Sequence, residues 1–445
     1  MDLKGLIDKH CPEFLRPGLT HIEASPLLYR LAKGTFWSLA GLLVSRLCGL
    51  LASVLVARML GEAGFGEFGV VQNTVGMFAV FAGFGLGLTA TKHIAEFRYR
   101  DPRRAGQLLG LCSAVSIFSG LALAAALFFL SPWLSAGFLN APRLAGLLAL
   151  SAPLLVFGAW SGVQLGALSG LESFKRISQI NLATGLLNFP LMAGGVMLGG
   201  LNGAVIGLLL VNVFSCAFGS WALRKELSAA GLRASYSGFR ENWGILWRFS
   251  LPSLLSGLMV APVTWACSAM LANQPNGYPE LGIFNAANQW RLLALSVPGI
   301  LLQVALPIMA GVEAGTAGNA YREKILQTLK VNFIVGILLL AGLSLFSPFI
   351  MGWYGEGFKG HWFVFVAAQA VTFVQAVQAP VVAYWVASGE MWENFLANIL
   401  WGVSVIGFTW LFIGKGALGL MYGMLGGFLL FGVLIVLKLR AVLRT

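Results

Sequence analysis

Two arginines sit where arginines seldom sit. Arg46 lies near the middle of the apolar run SLAGLLVSRLCGLLASVLVAR, and Arg291, in NAANQWRLLALSVPG, lies about one-third of the way along the apolar run 282–309. A guanidinium at membrane depth costs about 2.5–3.5 kcal/mol on insertion scales and faces a cavity or a partner. The ordinary partner is a carboxylate, yet all 17 acidic residues fall in tails, loops or the ends of apolar runs. A cation with no counter-ion suits an anionic ligand, a phosphate above all, which the guanidinium fork binds through two parallel hydrogen bonds. The alternatives are snorkelling to an interface or bonding to backbone carbonyls.

Polar side chains gather around these arginines. Asn285, Asn288 and Arg291 follow one another at three-residue steps, with Gln289 alongside. Gln369, Thr372, Gln375 and Gln378 repeat the spacing, and Gln72, Asn73 and Thr74 stand together. Such stripes can line an aqueous cavity and hydrogen-bond sugar hydroxyls, or they can join helices inside a membrane. The expected substrate site is Arg46, Arg291, Asn285, Asn288, Gln289, Gln72, Gln375 and Gln378. Trp265 and Trp290 are deep enough to stack on a sugar, whereas Ser38, Gly41, Ser45, Gly49 and Ala52 read as a close-packing face. No P-loop or nucleotide fingerprint is present, and the cysteines and histidines show no metal-ligand spacing. Neither catalytic residues, a metal nor a cofactor are expected.

The elements that must hold these residues are membrane helices. Of 445 residues 58% are hydrophobic and 10% charged, too few charges for a soluble enzyme or a disordered chain. A span needs about 20 apolar residues. Twelve stretches qualify, at 36–57, 66–90, 107–130, 144–170, 178–199, 203–222, 248–271, 282–309, 327–351, 362–387, 395–413 and 418–437. With both ends inside, 23 of the 29 Lys and Arg fall in inside loops and tails, four fall outside, and Arg46 and Arg291 stay in helices. The expected fold class is an all-α polytopic membrane protein with two six-helix bundles around a central cavity. The expected divisions are an inside tail 1–32, a first bundle 33–223, a linker 224–247, a second bundle 248–440 and a short tail 441–445. Residues 64–72 (GFGEFGVVQ) and 277–285 (GYPELGIFN) match without gaps and mark the halves as parallel repeats. The basic loops obey topology, so no nucleic-acid partner is expected.

These residues also carry a family resemblance. KGTFWSL, SRLCGLLASVLVARMLGEAGFGEFG and IAEFRYRDPRRAG, between Lys33 and Gly106, resemble the N-terminus of the polysaccharide (oligosaccharide) flippases of bacterial O-antigen, capsule and exopolysaccharide export. LGIFNAANQWRLLALSVPGILLQVALPIM and KGALGLMYGMLGG resemble stretches of the second half. The family belongs with the multidrug/oligosaccharidyl-lipid/polysaccharide exporters. The resemblance implies two bundles alternating between inward- and outward-open forms, and an undecaprenyl-pyrophosphate-linked oligosaccharide moved across the inner (plasma) membrane. In the related lipid II flippase cationic cavity residues are held to engage the pyrophosphate. Arg46 matches one of them, Arg291 lies about where another falls, and a further family arginine is here Ala52. The expected partners are the lipid-linked oligosaccharide, membrane lipids, a polysaccharide polymerase and export machinery, with the chain itself a monomer. Two other readings are a cation-coupled drug antiporter of the same superfamily and a membrane enzyme of polysaccharide assembly. The absence of an acid at depth and the short outside loops count against them.

Overall fold

The structure is a computed structural model that describes residues 26–237, 239–246, 250, 258–310, 318–387 and 391–444. The tail before Pro26, with Cys11, and Pro252 lie outside the described residues. Everything regular among the described residues is helical. The first half comprises α1 (Pro26–Gly83), α2 (Leu86–Arg100), α3 (Pro102–Gly137), α4 (Ala145–Ser151), α5 (Pro153–Gly170) and α6 (Phe174–Ala229). The connecting segment carries α7 (Phe239–Ile245), and the second half comprises α8 (Val260–Ala272), α9 (Gly277–Ala310), α10 (Gly318–Leu345), α11 (Ser347–Trp353), α12 (Trp362–Ala387), α13 (Met391–Phe412) and α14 (Gly416–Arg444). Among the described residues, seven helical stretches are long and apolar enough to cross a membrane. Three of these, of 60, 56 and 45 residues, are each more than twice the about 20 residues that one crossing needs.

Glycine sets the bends in the longest helices. Gly61 (φ 70°, ψ 178°) divides α1 into two limbs, and Gly200 (φ 53°) does the same for α6. These φ values are costly for a residue with a Cβ. Near the first predicted inside loop the structure departs from the expected pattern. The span predicted to 90 breaks at Phe84–Gly85, both with positive φ, and the stretch predicted as a loop from 91 is helix α2 as far as Arg100. A polar helix satisfies its own backbone groups at the membrane surface, where an irregular loop would rely on water. Likewise α6 runs on to Ala229, into the expected linker.

Small residues bring α1 and α6 together. Ser45 packs on Gly185, and a Cβ at Gly41 would overlap Ser178. One buried apolar cluster runs through both halves, from Val56, Phe65 and Val71 to Phe284, Tyr354 and Phe365. A second belongs to the first half, with Leu86, Ile94, Leu109 and Leu168, and it takes in Leu232 and Leu246 from the connecting segment. That segment is docked on the first half, with the Ser235 amide donating to the Gly106 carbonyl at 3.0 Å.

Candidate functional site

The two halves meet along α1 and α9. The matching segments 64–72 and 277–285 pack on each other: a Cβ on Gly69 would overlap the Asn285 amide, and one on Gly282 would overlap the Glu62 carbonyl. Polar bonds close the same end. Tyr278 donates its hydroxyl to the Leu139 carbonyl at 2.7 Å, Asn273 donates to the Phe138 carbonyl at 2.6 Å, and Arg143 pairs with Glu67. Burial, reinforced by the Glu67 charge, pushes the Tyr278 phenol up to about 12, so it remains a donor. Glu280 accepts from the Ala417 amide at 2.7 Å, at the first turn of α14. Deeper in, Trp265 donates to Thr74 at 3.0 Å and Asn73 donates to Ser268 at 3.2 Å.

Below this closure lies a cavity of about 230 Å³ between the halves. Its polar lining is Arg46, Ser53, Gln72, Asn188 and Gln289, and its apolar lining includes Leu50, Phe68, Met192 and Leu208. Arg46 is exposed to it and donates Nη1 across the gap to the Leu292 carbonyl at 3.1 Å. Ser53 is bonded to Gln289. Asn188 Oδ1 is buried without a partner. Among the described residues no carboxylate lines the space. Among its described lining residues Arg46 is the one charged group, set among neutral amides and a hydroxyl, a setting that favours an anion.

Three of the eight expected residues, Arg46, Gln72 and Gln289, share this cavity. The others are elsewhere. Asn285 is buried against Gly69 at the contact between halves. Arg291, 7% exposed, points into the second half, where Nε donates to Asn288 Oδ1 at 2.7 Å and Nη1 donates to Gln375 Oε1 at 2.5 Å. Gln375 and Gln378 line a different cavity of about 420 Å³ with Leu295, Asn398 and Trp401, and Gln378 donates to the Phe428 carbonyl at 2.7 Å. Helical geometry separates them. At about 100° per residue, three-residue steps drift by about 60° each, so Arg291 ends roughly 160° around the helix from Gln289. Asn285, Gln289 and Leu292 form the face toward α1, while Asn288 and Arg291 face α12. Neither tryptophan considered for sugar stacking lines the Arg46 cavity; Trp290 packs on Trp353 and Phe365 at 6.1 and 6.0 Å.

Sequence reading passed over Asn188 and Ser53. Asn188 is a lone amide in the run TGLLNFP, and Ser53 stands seven residues after Arg46, on the same face of one helical run; these were the available signals.

Comparison with known proteins agrees with this architecture. A family model described as polysaccharide biosynthesis protein matches residues 31–313. The EPS I polysaccharide export inner membrane protein EpsE of Ralstonia solanacearum is 24% identical over 386 residues, covering 85% of this chain and 86% of its own. A putative O-antigen transporter of Shigella flexneri is 21% identical, covering 74% of this chain and 77% of its own. Among solved structures, the inward-facing conformation of a multidrug resistance MATE family transporter of the MOP superfamily has a TM-score of 0.74, at 18% identity, over 92% of this chain and 99% of its own. An outward-facing conformation of such a transporter has a TM-score of 0.62, at 18% identity, over 93% of this chain and 97% of its own. With a family match over more than half its length, the chain belongs to the polysaccharide biosynthesis protein family, and it shares the fold of the solved MATE family transporters.

Proposed function

We propose that the protein is a flippase that carries an undecaprenyl-pyrophosphate-linked oligosaccharide from the cytoplasmic to the outer leaflet of the inner membrane by alternating access. The observation that carries this reading is Arg46, the one charged group among the described residues lining a cavity between the halves, set among neutral amides. Names given to relatives, a polysaccharide export inner membrane protein and a putative O-antigen transporter, support the substrate class. The basic cavity is a poor host for the cationic substrates of a drug antiporter.

The headgroup binds as follows in this reading. The diphosphate displaces the Leu292 carbonyl from the Arg46 guanidinium and takes its two-pronged hydrogen bonding. Gln72, Gln289 and Asn188 supply neutral contacts around it. Because the Arg46–Leu292 bond joins the halves, binding the headgroup removes one restraint on their motion. A space of about 230 Å³ is below the usual 300–1,000 Å³ of ligand pockets, so the sugars extend beyond it and the lipid tail stays in the bilayer. Arg291, Asn288 and Gln375 act as positioning residues that hold α9, and thereby Gln289, in place.

The matching segments close the end that faces outward, which makes this conformation inward-open; the TM-score of 0.74 against the inward-facing transporter supports that direction. In the same reading twelve spans place both termini in the cytoplasm. Two negative charges moving outward gain about 2.3 kcal/mol each per 100 mV of inside-negative potential, so the potential itself drives the step.

The test is export of lipid-linked sugar by Arg46→Ala at matched protein level. Loss of one charged hydrogen-bonding group of about 1.5–3 kcal/mol predicts a fall of roughly 10- to 100-fold. Wild-type export in that variant would remove Arg46 from the mechanism and this reading with it.

A further inference from the structure

A second polar cavity, of about 430 Å³, lies away from the Arg46 cavity, where the connecting segment docks on the first half. It is lined by Asp101, Arg103, Arg104, Gln107 and Asn242. One wall is the first turns of α3 and the other is α7, so the cavity exists only because the segment is docked. Its floor is polar and buried: Asn242 is 1% exposed and Gln107 9%, and they are bonded to each other at 3.5 Å. Arg104 is held in position, with Nε donating to Asn242 Oδ1 at 3.4 Å and its guanidinium 4.7 Å from the Phe97 ring centre. Arg103 stands exposed at the rim. Asp101, the acidic lining residue, is engaged as the cap of α3, accepting from the Arg104 amide at 3.1 Å. Neither Arg103 nor Arg104 has an ion-pair partner among the described residues.

We propose that this cavity binds a phosphate group and that the bound phosphate fastens the connecting segment to the first half. A positioned guanidinium, a second at the rim and the Gln107 amide at the base match the donor set that phosphate oxygens accept. Basic pockets at the cytoplasmic ends of membrane helices recognise anionic lipid headgroups. Two sources share this chemistry, a phospholipid of the leaflet beside the site and a soluble phosphate. The phosphate site stands whether or not the chain flips a lipid-linked sugar. It couples the composition of its surroundings to the segment that links the two halves.

The experiment uses the full-length protein purified in detergent, where both faces are accessible, so membrane orientation does not enter. Native mass spectrometry measures retention of phosphatidylglycerol against phosphatidylcholine, and a separate titration uses inorganic pyrophosphate. The comparison is among wild type, Arg103→Gln/Arg104→Gln, and Arg100→Gln as a neighbouring charge outside the cavity. Arg104→Lys, which keeps the charge but loses the fork, is the milder variant should the double one fail to fold. The expected result is preferential phosphatidylglycerol retention that weakens about tenfold in the double variant and persists in Arg100→Gln. Saturable pyrophosphate binding lost in the same variant, without lipid preference, assigns the site to a soluble phosphate. No preference for either probe, or an equal loss in Arg100→Gln, overturns the proposal.

Discussion

Arg46 and Arg291 share a residue type and an apolar setting but differ in what a substitution should do. Arg46 is exposed to a cavity and contributes one hydrogen bond, to a carbonyl. Arg291 is buried and held by two amide oxygens. Arg46→Ala should therefore leave stability nearly unchanged, within about 1 kcal/mol, while export falls. Gln375→Ala should do the reverse in part: it strips a buried charge of a hydrogen bond and costs about 1.5–3 kcal/mol. Thermal unfolding of both variants in detergent reads the contrast. A Tm for Gln375→Ala equal to wild type would show that Arg291 does not depend on that amide.

At the scale of elements the glycines carry the testable content. Gly61 holds a backbone conformation that essentially only glycine adopts, at the bend between the limbs of α1. Gly61→Ala should cost about 1–3 kcal/mol, seen as a lower Tm, although no neighbouring atom is within 4 Å to clash with the new methyl. An unchanged Tm would mean that the bend is not needed. Gly69 acts differently, since it is crowded by Asn285 of the opposite half. Gly69→Val should wedge the halves apart at the Glu67 end. Spin labels on Ala63→Cys and Gln274→Cys, on opposite halves beside the same surface cavity, should then show a longer distance by electron–electron resonance. An unaltered distance distribution would show that the contact is not a closure.

For the whole molecule the prediction is topological. Reporter fusions should place the end beyond α14 in the cytoplasm, where a fluorescent protein folds and alkaline phosphatase stays inactive. Phosphatase fused after Asn140 or after Glu356 should be active. An active phosphatase at the C-terminus would invert the orientation and place the Glu67–Arg143 pair on the cytoplasmic side. Because 23 of 29 basic residues fall in the predicted inside segments, several loops would have to be neutralised to invert it.

The sequence by itself determined the membrane, the helices and the depth of the two arginines. Apolar length and charge are local properties of a chain in a bilayer, where every backbone group must be satisfied within its own helix. It also marked the matching segments 64–72 and 277–285, though not that they lie against each other. The tertiary structure decided which residues share a site. Asn285, Asn288 and Arg291 look like one stripe along the chain, but rotation about α9 sends Arg291 into the second half and Gln289 toward Ser53. Asn188 and Gln289 join Arg46 only because α6 and α9 close on α1, contacts between positions more than a hundred residues apart, whereas Ser53 follows Arg46 by seven residues on α1 itself. Spacing along one helix specifies an angle; which helix faces that angle depends on packing among all of them.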